Sequence, residues 1–206
     1  MNKKHTMDLD QLFEKYFNEY LSGNKAARIV ADGLDQVGVG LMPSVDHCAI
    51  RTLDVNARAK EIQALGYQYD NKIGVLEFEN WWAKVYRKPG YPALFIDQGF
   101  DGERGRDSLI PGWVKAHGDQ CFHHFAILVE NIELAIAALE KKGVEFGGEV
   151  IGEPGTDLRQ IFTKPEMKSG EVYTVLELIE RHHGYDGFLP PQADGLMEST
   201  RQSHKT

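Results

Sequence analysis

One segment of this chain is written twice. Residues 47–69 align without a gap on residues 124–146, about 77 positions further on. His47 falls on His124, Ala49 on Ala126, Ile50 on Ile127, Val55 on Ile132, Ile62 on Leu139 and Gly66 on Gly143. Each copy reads as a short strand, a helix, and a glycine turn into another strand. Repetition of a supersecondary unit constrains the fold, because two such modules complete each other's core. It also puts two identical metal-capable side chains, His47 and His124, at equivalent positions.

A length of 206 residues suits one domain or two small fused modules, and the 42% hydrophobic content supplies a core. The net charge of −8 and a pI near 5.5 argue against a nucleic-acid footprint. Cys48 and Cys121, the two cysteines, lack CxxC spacing. They suggest neither a disulfide framework nor a zinc ribbon and read as small core residues, so a reducing cytoplasm fits best. No apolar run approaches the roughly 18 residues of a membrane span, and the polar MNKKHTMDLD start does not read as a signal peptide.

The pattern along the chain predicts five regions. Residues 1–45 are a helical segment and connector, with an amphipathic helix over 7–32 whose packing face holds Leu12, Phe13, Tyr16, Phe17, Tyr20 and Leu21. Module one spans 46–98, with strand 46–52, helix 55–65, and strands 67–70, 74–79, 83–87 and 93–97. Residues 99–118 are a polar, glycine-rich crossover with a turn at Pro111 and Gly112. Module two spans 119–183, with strand 122–129, helix 132–142, and strands 144–151, 158–163 and 173–181. The tail, 184–206, reads as an ordered flap followed by a frayed end.

Strand alternation then sorts the chemistry-bearing residues. His47, Ala49 and Arg51 share one face of their strand, and His124, Ala126 and Leu128 share one face of theirs. Val175, Glu177 and Ile179 share a third. A carboxylate centred in VLELI is expensive to bury alone and needs a hydrogen-bonding partner, an ionic partner or a metal. Two histidines and one carboxylate from separate strands make a facial triad with open positions, the set suited to non-haem Fe(II). Manganese, cobalt, nickel and zinc accept the same donors. His123, on the opposite face, reads as packing or support, with a ligand role in place of His124 as the alternative. His182 and His183 read as solvated. Arg51 lies roughly 13 Å along the strand from His47. It suits a bidentate clamp on a substrate carboxylate, or a structural ion pair. Gln160 is a candidate pocket contact, with Arg159 facing away.

The paired modules, with candidate ligands on opposing first and last strands, resemble the vicinal oxygen chelate superfamily, which includes glyoxalase I, extradiol dioxygenases and 4-hydroxyphenylpyruvate dioxygenase. LRQIFTKP followed by YTVLELIER resembles the closing segment of the last of these. HCAIRTL at 47–53 resembles the HxAxRT stretch of the 2-oxoadipate dioxygenase/decarboxylase (hydroxyglutarate synthase) family. The resemblance covers about residues 45–183. It implies iron ligands His47, His124 and Glu177, with Arg51 on a distal carboxylate and Gln160 against the substrate.

The expectation is an α+β fold. Two fused βαβββ modules form a curved mixed sheet around a metal pocket, with an N-terminal helix. At the module-one position matching Glu177, the ALFID segment offers Leu94 or Phe95, which favours three protein ligands. The expected activity is Fe(II)-dependent oxidation and decarboxylation of a small 2-oxo acid by O2. A glyoxalase-type metal-dependent isomerase or lyase, and a non-catalytic ligand-binding module, are the alternatives. No nucleic-acid or membrane partner is expected, and exposed strand edges leave room for a homodimer without requiring one.

Overall fold

The protein is described by a computed structural model covering residues 8–202. The leader reading, the first residue of the expected N-terminal helix and the last residues of the tail lie outside the described residues.

Two helices, α1 (Leu9–Gly23) and α2 (Lys25–Gln36), stand where one was expected. Asn24 breaks the run. Its backbone is extended, its side chain caps α2 by accepting from Ala27 N, and its amide donates to Thr174 Oγ1 at 3.1 Å in a fully buried position. Asparagine competes well for backbone groups, which is why it ends helices and caps them. The amphipathic face survives the break: Phe17 and Tyr20 pack on Phe125, and Tyr16 meets Phe122 edge-on at 5.2 Å.

Module one follows as β1 (Val45–Arg51), α3 (Val55–Ala64), β2 (Gln68–Tyr69), β3 (Val75–Glu77), β4 (Trp81–Arg87) and β5 (Ala93–Gly99). The stretch read as an irregular crossover holds α4 (Gly102–Gly105) and α5 (Ile110–His117). Pro111 lies in the first turn of α5 rather than in a free turn, a position where its missing N–H leaves no helical bond unmade. Module two holds β6 (His124–Leu128), α6 (Ile132–Glu140), β7 (Leu158–Phe162), the small hairpin β8 (Met167–Lys168) and β9 (Glu171–Val172), and β10 (Glu177–Arg181). The strand expected over 144–151 is reduced to two isolated bridges, at Phe146 and Ile151, separated by Gly147 and Gly148. The tail forms α7 (Pro190–Gln202), a helix where a flap was expected. No described helix is long and apolar enough to cross a membrane.

The repeat is visible in local detail. Asp54 and Asn131, equivalent positions, cap α3 and α6 by accepting from Ala57 N and Leu134 N. Gly66 and Gly143 both take positive φ at the helix exits, where a residue with a Cβ would be strained. In each copy the first and last strands pair in parallel, β1 with β5 and β6 with β10. The copies join through antiparallel β1 and β6, giving a mixed sheet of order β2-β4-β5-β1-β6-β10-β7, with β3 on β4.

The sheet has two dissimilar faces. Cys48, Ile50, Phe125, Ile127, Leu176 and Leu178 are buried in one large apolar cluster with α1 and α3. Successive strand residues alternate sides, so His47, Arg51, His124 and Glu177 are left to line a cavity on the other face. α7 packs on β7 over this cavity.

Candidate metal centre

Register brings the three expected ligand positions together. Across neighbouring strands His47 pairs with Ala126, and Ala126 pairs with Glu177; His124 lies two residues away on the same face of β6. The methyl side chain of Ala126, fully buried, leaves space between the two flanking residues. His47 Nε2 lies 3.3 Å and His124 Nε2 3.2 Å from Glu177 Oε2, and one ligand atom from each residue falls within 4.8 Å of the others. All three side chains are buried.

The donor set fits a divalent transition metal. Glu177 Oε1 is buried without a hydrogen-bond partner, an arrangement that is costly unless something further engages the carboxylate. Two imidazoles and one carboxylate offering atoms to a common point are the donors of a facial triad. The three groups are strongly coupled. Burial pushes the Glu177 carboxyl up, but the charge of His47 and hydrogen bonds from His124 and His47 outweigh it and hold it down near 2. Burial lowers His47, yet Glu177 and Asp46 together raise it to about 9; in His124 burial wins and the shift is downward.

Supporting residues absent from the sequence reading surround the triad. Asp46 Oδ1 lies 2.8 Å from His47 Nδ1, and Arg181 grips Asp46 through Nε–Oδ2 at 2.7 Å and an Nη2–Oδ1 bond at 2.9 Å. This carboxylate fixes the His47 ring with Nε2 directed at Glu177, the arrangement that orients metal-binding imidazoles. Both residues carried a signal: Asp46 directly precedes His47, and Arg181 closes the VLELIER strand. His123 is the second addition. It sits in a bend just before β6, so strand alternation does not apply to it, and it lines the same cavity as His124 instead of the opposite face. Its Nδ1 lies 2.9 Å from His124 Nδ1, so one ring must donate to the other. With a metal on His124 Nε2, the Nδ1–H of His124 would be the donor.

The rest of the cavity is mostly apolar: Trp81, Phe95, Phe162 and Phe188, with Leu196 and Met197 from α7. The empty space amounts to about 430 Å³, including its mouth. Phe95 is the residue opposite Ala49, as Glu177 is opposite Ala126, so the structure selects Phe95 over Leu94 as the counterpart of Glu177. Arg51 also lines the cavity. Its Nη2 approaches Met197 Sδ at 3.1 Å, its guanidinium lies 5.7 Å over Trp113, and burial lowers its pKa to about 10. Gln160 lines the cavity too and donates to Gln192 Oε1 of α7 at 2.8 Å, while Arg159 faces away and binds Glu133 and Glu180. Asp97, beside Arg51, was not singled out in the sequence. Burial raises its carboxyl to about 7, with Arg51 opposing. His182 is half-buried against Glu180, and His183 is exposed, paired with Asp157.

No protein-family model matches the chain, and no curated protein matches it. Solved structures do. Two modules sharing one sheet make a fold similar to that of glyoxalase-superfamily proteins of known structure. A glyoxalase-superfamily protein from Ralstonia eutropha JMP134 matches at TM-score 0.67 and 14% identity over 84% of this chain and 82% of its own. Hydroxyglutarate synthase from Oryza sativa, in complex with 2-oxoadipate, matches at TM-score 0.76 and 17% identity, covering 95% of this chain and 93% of that one. A protein from Shewanella frigidimarina NCIMB 400, provisionally designated a hydrolase, matches at TM-score 0.72 and 20% identity over 90% and 99%. At these identities the likeness is one of fold.

Proposed function

We propose that this chain is a non-haem iron enzyme that oxidises and decarboxylates a small 2-oxo acid with O2. The observation that carries this reading is the convergence of His47, His124 and Glu177, with Glu177 Oε1 unpartnered, in a cavity that also holds Arg51. The Oryza sativa neighbour, captured with 2-oxoadipate, supports a 2-oxo acid as the substrate class. Bound Fe(II) would supply Lewis acidity toward the 2-oxo acid and activation of O2.

The chain's own groups do the rest. His47 and His124 offer Nε2 and Glu177 its carboxylate. Phe95 stands where a fourth ligand would be, so three protein donors leave room for substrate. Asp46, held by Arg181, keeps the His47 ring from rotating. Arg51 engages an acceptor oxygen at the far end of the substrate, and Gln160 contacts its polar atoms. Phe162, Phe188 and the apolar residues of α7 exclude water from the reacting end.

The test is anaerobic loading with Fe(II), followed by O2 uptake across a panel of 2-oxo acids. One CO2 released per O2 consumed, abolished in His47→Ala, is the expected result. Metal uptake without O2 consumption would replace this reading with an isomerase or lyase. A protein that takes up no metal would be a binding module.

A further inference from the structure

The cavity has a second polar end, away from the His/His/Glu cluster. Arg51 on β1 and Asp97 on β5 are paired in parallel register, and both side chains line the cavity at 3% exposure. Among the described residues neither Arg51 Nε nor Asp97 Oδ1 has a hydrogen-bond partner. The contact Arg51 makes with Met197 is to a thioether, a weak acceptor. A buried guanidinium and a buried carboxyl thus face one space with a donor and an acceptor unspent, a costly arrangement for a fold to keep without use.

The repeat supplies an independent argument. The module-two counterparts of Arg51 and Asp97 are Leu128 and Ile179, paired in parallel in the same way. Leu128 is 49% exposed and Ile179 buried, so the strand register by itself calls for neither charge. We propose, resting on the function given above, that Arg51 and Asp97 together read a neutral head group on the substrate: a primary carboxamide at the distal end of the 2-oxo acid. Its carbonyl accepts from the Arg51 guanidinium, and its NH2 donates to the Asp97 carboxylate.

Charge balance separates this head group from a carboxylate. With Asp97 ionised, above about pH 7, Arg51 and Asp97 cancel. A divalent ion with Glu177 leaves one positive charge, which the 2-oxo acid carboxylate cancels. A second, distal carboxylate would add an uncompensated negative charge beside Asp97 in a largely apolar enclosure, where such a charge is strongly disfavoured.

The experiment is calorimetric titration of Co(II)-loaded protein at about pH 8.5, where Asp97 is ionised. Three probes are used: 2-oxoadipate, its distal monoamide, and 2-oxobutyrate, which has no distal polar group. The monoamide should bind about tenfold or more tighter than 2-oxoadipate. Asp97→Asn, whose amide can donate to a carboxylate, should reverse that order, and Asp97→Ala should erase the preference; thermal melts confirm that both variants fold. Tighter binding of 2-oxoadipate to the unmodified protein, or a ratio unchanged in both variants, overturns the proposal while 2-oxobutyrate binding leaves the 2-oxo acid reading intact. Binding of none of the three overturns both.

Discussion

In module one Ala49 faces Phe95 on the neighbouring parallel strand; in module two Ala126 faces Glu177. Two residues further along, module one pairs Arg51 with Asp97, and module two pairs Leu128 with Ile179. Backbone register is the same and the chemistry is exchanged. Module two carries an acid where module one is aromatic, and module one carries two charges where module two is apolar. One geometry occurs twice, and in the proposed reading the side chains divide the cavity into a metal-binding end and a head-group end. On this face the histidines His47 and His124 and the alanines Ala49 and Ala126 remain common to both copies.

The most severe way to break this division is to make the copies alike. Phe95→Glu gives module one the acid of module two. It should keep or strengthen metal binding while lowering O2-dependent turnover by about two orders of magnitude or more, because a fourth protein ligand fills a position the substrate needs. Metal analysis beside O2 consumption checks this, and turnover near the unmodified level would show that Phe95 does not keep a position open.

A smaller effect is expected from Asp97→Asn on stability. The folded-state pKa of Asp97 is about 7, above its ordinary value of about 3.9, so the fold favours the protonated form. The associated stability is fully present below about pH 4 and is lost as pH rises through 7. Asparagine cannot ionise, so the variant should be more stable than the parent by about 2–4 kcal/mol near pH 8 and no more stable near pH 4. Urea melts at the two pH values measure it. Equal stability at pH 8 would mean that Asp97 is compensated in the folded protein.

The mildest comparison uses the helix caps. Asp54→Ala and Asn131→Ala should each destabilise by about 1 kcal/mol, and by the same amount within error. A large inequality in denaturant melts would show that the two copies are unequally supported despite equivalent caps.

The paired modules were legible because a repeat at constant offset fixes which strands are equivalent, and alternation separates His47 and Glu177 from Cys48, Ile50 and Leu178 without knowledge of contacts. What stayed hidden depended on groups distant in sequence. Asn24 splits the N-terminal helix through a bond to Thr174, and Asp46 orients His47 because Arg181 holds it from the far end of the sheet. His123 escaped because alternation fails one residue outside a strand. Asp97 needed the register with Arg51 to acquire meaning, although its place two residues after Phe95 already set it on the cavity face. α7 was obscured by its prolines, which are compatible with a helix only in the first turn.

The most direct test of the account is metal stoichiometry under anaerobic conditions with Fe(II), for the parent and for His47→Ala, His124→Ala and Glu177→Ala. One iron per chain in the parent, lost in each of the three variants while the fold is retained, is the predicted result. Iron retained at full stoichiometry in any one of them would contradict a centre shared between the two modules.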